Sequence, residues 1–119
     1  MPTIAENGPF TILMDYEVEE GRQQEMIEGI TELVARHIAP NPGFISASFH
    51  AVEGGRRVLN YAQWTSREAW QTATPGGLEN PVAKAIIEVL TRCGGRRTAV
   101  DVLSVSRVVP SVKLLAGAA

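Results

Sequence analysis

An α+β fold with the order β-α-β-β-α-β is predicted for this chain by three observations. Phe10 to Val18 alternates Phe10, Ile12, Met14, Tyr16 and Val18 with the intervening positions, the period-two signature of a half-buried strand. Two later stretches place apolar residues three and four apart, as an amphipathic helix requires. Between those helices, two strand-like runs flank Gly54-Gly55, the composition of a tight hairpin turn. Strands and helices in this order form a split β-α-β unit, called ferredoxin-like, with an antiparallel sheet and both helices on one of its faces.

The elements follow in chain order. Residues 1–8 are a Pro- and Gly-containing lead expected to be a flexible or partner-docking tail, and the first strand runs over Phe10–Val18. Gly21 breaks that pattern, and Met26, Ile27, Ile30, Leu33, Val34 and Ile38 mark a helix over about 21–38. Pro40 and Pro42 forbid its continuation. Gly43 to Val52 is the second strand and Arg57 to Thr65 the third. If Gly54-Gly55 form a two-residue turn, Phe49 pairs with Asn60, Ala47 with Ala62 and Ile45 with Trp64.

Thr65-Ser66-Arg67-Glu68 has the Thr-x-x-Glu spacing of a capping box, so a short helix through Trp70 follows. Pro75-Gly76-Gly77 interrupts it, and Pro81 opens a second helix to about Cys93 with Val82, Ala83, Ile86, Ile87, Val89 and Leu90 on its apolar face. Gly94-Gly95 ends that helix. Thr98 to Val109 is the final strand, closed by Pro110, and residues 110–119 form a second flexible or partner-docking tail. The whole chain of 119 residues reads as one domain.

Composition excludes several functions. The net charge is −2 and the pI about 5.7, so no basic field exists to collect nucleic acid or anionic lipid. The pairs Arg56-Arg57 and Arg96-Arg97 lie beside glycines and read as solvated loops. Cys93 is the only cysteine. An intrachain disulfide is therefore impossible, a reducing cytoplasmic setting is expected, and the thiol reads as a buried helix-end residue. The first 21 residues carry no Lys or Arg, which argues against a secretory signal, and no run approaches the roughly 20 apolar residues of a membrane span.

No metal set is predicted, because His37 and His50 sit at no ligand spacing from a cysteine or carboxylate cluster. Neither a phosphate-cradling glycine motif nor a Gly-x-Ser-x-Gly elbow occurs. The informative feature is Asn60 on the same strand face as Val58, Ala62 and Trp64, with Ala47 and Phe49 opposite them. Burying an amide without partners costs roughly 1–3 kcal/mol. Small alanines beside an amide and large aromatics describe a pocket for a flat ligand. They equally describe an Asn60 bonded to a loop over a core Trp64. Leu59 and Tyr61 point the other way, so the second sheet face also needs cover, and a homodimer is the expected way to supply it.

Gly43-Phe44-Ile45-Ser46-Ala47-Ser48-Phe49-His50 and Val58-Leu59-Asn60-Tyr61-Ala62-Gln63-Trp64-Thr65-Ser66-Arg67-Glu68-Ala69-Trp70 resemble the antibiotic biosynthesis monooxygenase family. The similarity is strongest to the branch that oxidises tricyclic intermediates in actinorhodin and anthracycline-type polyketide pathways. The resemblance implies a dimeric α/β-barrel in which each subunit holds a pocket between its own sheet and helices. It implies a cofactor-independent monooxygenase that turns an electron-rich anthrone or dihydroquinone into a quinone with dioxygen, using no flavin, haem or metal. Asn60 and Trp64 take the catalytic positions and Phe49 and Trp70 match aromatic positions around the substrate, while Ala62 and Ala47 are substrate-binding candidates from their small size on the same face. Two positions depart from the actinorhodin relative: Phe49 replaces a tyrosine, and Ile87 falls where an arginine of the second helix is expected. These losses would suit a binding protein without turnover. Quinol oxidation in redox defence is a further alternative. Haem degradation would need a histidine shortly after Trp64, and none occurs between Trp64 and Cys93.

Overall fold

The structure is a computed structural model that describes residues 2–6 and 8–111. Its strands are β1 (Phe10–Glu17), β2 (Phe44–Ala51), β3 (Arg57–Trp64) and β4 (Arg96–Leu103). Helix α1 (Gln23–Leu33) continues into a π-helical turn over Val34–Ile38. Helix α2 (Arg67–Gln71) is short, a 3₁₀ turn covers Gly77–Glu79, and α3 spans Pro81–Arg92. The strands form one antiparallel sheet in the order β2-β3-β1-β4. This is the predicted ferredoxin-like α+β fold.

The helices cover one face because their stripes match that face's alternation. Ile12 and Tyr16 on β1, and Val58, Asn60, Ala62 and Trp64 on β3, are all buried. Met26 and Ile30, one helical turn apart on α1, join Val89, Leu90 and Cys93 of the α3 end over Tyr16 and Val58. Cys93 is the buried helix-end residue expected for it. Gly29 sits where α1 meets α3: a Cβ there would stand 2.8 Å from Cγ1 of Val89.

Several boundaries differ from the sequence reading, each for a local reason. A bulge at Ile45 leaves Phe49 opposite Asn60 and Ala47 opposite Ala62 but puts Phe44, not Ile45, opposite Trp64. The hairpin closes one pair earlier than a two-residue turn would, with the Val52 N–H donating to the Arg57 carbonyl at 3.1 Å. The cap of α2 is Ser66 rather than Thr65: Ser66 Oγ accepts from the Ala69 N–H at 3.0 Å. Thr65 cannot serve, since its N–H still extends the sheet by donating to the Gly43 carbonyl at 2.8 Å.

The final strand starts and ends earlier than 98–109. Gly94 turns the chain at φ +63° and the Gly95 N–H donates to the Leu90 carbonyl at 2.8 Å, so pairing resumes at once with Arg96 and Arg97. Those two arginines are strand residues, not the loop expected for them. Leu103 pairs with Thr11 near the start of β1, where the partner strand runs out, and Pro110 plays no part in ending β4.

Of the expected tails, the lead is held to the sheet at Thr3, whose N–H donates to Gln63 Oε1 at 2.6 Å. The expected 110–119 tail falls, from 112 onward, outside the described residues. Among the described residues no helix is long and apolar enough to cross a membrane, and no group of three His, Cys, Asp or Glu residues could hold a metal ion.

Candidate active site

Between the sheet and its helices lies a cavity of about 560 Å³, within the range of small-molecule sites. The sheet supplies its floor through Ile12, Met14 and Tyr16 of β1 and Asn60, Ala62 and Trp64 of β3. Ile30 and Val34 of the first helix, Ile86 and Leu90 of α3, and the segment from Trp70 to Leu78 supply the walls. The π-helical turn brings Val34 and Ile38 to the cavity, and such turns are frequent at functional sites.

Alternation puts Asn60, Ala62 and Trp64 on one face, and the structure brings Asn60, Trp64, Ala62, Ala47 and Trp70 to the same cavity. Phe49 is the exception. It lies opposite Asn60 and packs against the core cluster that includes Met26, Ile30, Tyr16 and Val58, but it is not among the lining residues. Ile87 does line the cavity and is 43% exposed at its edge.

The aromatic residues around the cavity brace one another. Phe44 meets Trp64 edge-on with ring centroids 5.2 Å apart, a favourable quadrupole geometry. Trp70 lies 5.5 Å from Phe10, and the Arg67 guanidinium sits 5.0 Å over that same Phe10 ring. Trp70 therefore owes its place on a short helix to contacts made outside the cavity.

Asn60 is 6% exposed, and its Oδ1 has no hydrogen-bond partner among the described residues. Such an orphaned group costs about 1–3 kcal/mol, so the amide is poorly explained as a fold-stabilising residue. Tyr16 stands beside it. The Tyr16 hydroxyl donates to Met14 Sδ at 3.1 Å, a weak acceptor. Burial pushes the Tyr16 phenol above its ordinary range, while the Arg97 guanidinium and the Asn60 amide pull it back. A protonated phenol is thus a second donor at the Asn60 end.

Sequence reasoning missed Tyr16 and Arg97 as cavity residues. Tyr16 was legible, since it shares the alternation of Ile12 and Met14. Arg97 was not, because its face depends on the register of β4 against β1. Cys93 takes no part in the cavity: burial and the Glu25 carboxylate push its thiol up, away from the thiolate that nucleophilic chemistry needs.

The family model described as antibiotic biosynthesis monooxygenase matches residues 9–75, more than half of the chain and the part that carries Tyr16, Asn60, Trp64 and Trp70. Tetracenomycin-F1 monooxygenase of Streptomyces glaucescens is 37% identical over 57 residues, 48% of this chain and 51% of that protein. The chain thus spans about half the length of this curated relative.

Among solved structures, a monooxygenase from the gene ActVA-Orf6 of Streptomyces coelicolor, in complex with nanaomycin D, superposes with a TM-score of 0.67. It is 26% identical, over 87% of this chain and 93% of that one. SnoaB, a cofactor-independent oxygenase from Streptomyces nogalater, shares the fold with a TM-score of 0.67 at 17% identity, over 86% of this chain and 97% of that one.

Proposed function

The chain belongs to the antibiotic biosynthesis monooxygenase family, and on that premise we propose that it oxidises an electron-rich polycyclic phenol, an anthrone or dihydroquinone, to a quinone with dioxygen. The setting is aromatic polyketide antibiotic biosynthesis, and no cofactor is used. The observation that carries the reading is Asn60: a buried amide whose Oδ1 has no partner among the described residues, on the floor of an otherwise largely apolar cavity lined by Trp64 and Trp70.

In this chemistry the substrate does the redox work. An anthrone loses a proton to give a delocalised carbanion, which passes an electron to dioxygen. Recombination forms a C–O bond, and loss of water from the resulting peroxide leaves the quinone carbonyl. One atom of dioxygen ends in the product and the other in water, and the two hydrogens of the reacting methylene leave with that water. The protein has to bind, orient and stabilise negative charge. An N–H of Asn60 aimed at the developing oxyanion is worth about 3–4 kcal/mol by analogy with other oxyanion donors. Trp64 flanks the ring system and offers its indole N–H. Trp70 supports the opposite edge, and Ala62 and Ala47 leave room for a flat ring.

Incubation of the protein with dithranol under air tests this. Quinone should form faster than without protein, with one dioxygen consumed per quinone. A rate equal to the protein-free control, alongside saturable dithranol binding, would instead make the chain a binding protein. Substantial turnover of simple monocyclic quinols but not of dithranol would favour quinol oxidation in redox defence.

A further inference from the structure

The ladder between β1 and β4 carries an irregularity with a direct effect on the cavity. From Thr11–Leu103 to Asp15–Ala99 the two strands pair in regular register, and then the register shifts so that Tyr16 faces Arg97 and Glu17 faces Arg96. Thr98 is the extra residue, and its Oγ1 donates to the Asp15 carbonyl at 3.1 Å. A shift of one residue moves every following side chain to the other face of a sheet. With the register kept regular, Thr98 would face Tyr16 and Arg97 would lie on the face away from the helices. The bulge therefore turns Arg97 into the cavity, the kind of re-aiming that bulges perform beside active sites.

Charge distribution points the same way. The chain is net acidic at −2, yet Arg96 and Arg97 line the cavity and no Asp or Glu does. Arg96 is engaged, its Nε donating to Glu17 Oε2 at 3.0 Å. No hydrogen bond or ion pair holds the Arg97 guanidinium among the described residues, although it lies close enough to Tyr16 to act on the phenol electrostatically. Across the other ladder Met14 pairs with Asn60 and Tyr16 with Val58, so Tyr16 is the diagonal neighbour of Asn60. Three donors, Arg97, the Tyr16 hydroxyl and the Asn60 amide, thus belong to one end of an otherwise apolar cleft.

We propose that Arg97 is a substrate-binding residue and that the ligand carries an acidic oxygen substituent, a phenolate or a carboxylate, held at the β4 end of the cavity by Arg97 and Tyr16. The inference rests on the aromatic-substrate reading above and adds the charge of that substrate and the residue that selects it. Its place at the exposed mouth of the cavity makes the attraction moderate, and a guanidinium–carboxylate contact there should contribute about tenfold in affinity.

Binding measures this without turnover. Trp64 and Trp70 are the only tryptophans and both line the cavity, so quenching of their emission reports occupancy. The probes are 9,10-anthraquinone-2-carboxylate and its uncharged 2-hydroxymethyl analogue, which share one tricyclic frame and are already oxidised. The parent should bind the carboxylate about tenfold more tightly. Arg97→Met should abolish the preference while changing hydroxymethyl binding by less than about twofold, and Arg97→Lys should keep most of it. Equal binding of both probes by the parent, or a preference that survives in Arg97→Met, overturns this inference and leaves the aromatic-substrate reading standing. A parent that binds neither probe removes both.

Discussion

Asn60 separates a structural role from a functional one, because the two predict opposite changes in stability. Its Oδ1 is buried without a partner, and replacing such a group by an apolar one of similar shape is near neutral or stabilising. Asn60→Leu should therefore melt no lower than the parent, and Asn60→Ala should lose about a hundredfold or more in turnover with a much smaller change in KM. A fall in melting temperature of about 5 °C or more in Asn60→Leu with turnover retained would return Asn60 to the core. Tyr16 gives a second test. Its folded-state value lies above the unfolded one, chiefly through burial. The stability this contributes is complete below about pH 10 and is lost as pH rises through the folded-state value. Urea midpoints of the parent should fall more steeply than those of Tyr16→Phe as the pH rises above about 10, and parallel slopes would refute the assignment. Asn60, Ala62 and Trp64 were legible because two-residue periodicity on a strand needs only local sequence. Arg97 was not, because its face depends on a bulge whose extra residue, Thr98, shows only when β4 is laid against β1.

The same distinction operates in whole elements. The order of strands and helices, and the interior of each, could be read because alternation and three-to-four spacing are local. The ends could not, because partners set them: Thr65 is kept in the sheet by Gly43, and β4 stops where β1 runs out. The last turn of the first helix widens into a π-turn over Val34–Ile38, which its apolar spacing does not announce. Where α1 meets α3, Gly29 looks from sequence like a weak point, since alanine is intrinsically better in a helix by about 1 kcal/mol. Packing reverses this. A Cβ at 2.8 Å from Val89 Cγ1 must displace a β-branched side chain that is only 7% exposed and has few rotamers to use. Gly29→Ala should therefore destabilise by about 1–3 kcal/mol, read as a lower urea midpoint at unchanged slope. A gain in stability would show that the two helices can separate without cost.

For the molecule as a whole, the helices resolve one face of the sheet and leave the other to be covered. Leu13, Leu59 and Tyr61 lie on that second face and are only half-buried. Edge strand β4 is exposed along its full length, with Val100 at 37%, Val102 at 48% and Leu103 at 37%, and an apolar edge strand in water invites pairing with another chain. A second copy packed sheet to sheet would bury Leu13, Leu59, Tyr61 and Leu103, which share that second face. The parent should therefore sediment as a dimer at micromolar concentration, and a monomer there would remove the barrel arrangement that the sequence resemblance implies. Tyr61→Lys should yield a folded monomer, because position 61 faces Leu13 and Ser48 away from the helices, where a lysine stays solvated in one subunit but would be trapped between two. The cavity lies on the opposite side of the sheet and is lined by this chain's own residues. The monomeric variant should then still quench with anthraquinone-2-carboxylate at near-parental affinity. Loss of binding on dissociation would mean that the partner subunit shapes the site across the sheet, so this one variant tests assembly and the self-containment of the pocket together.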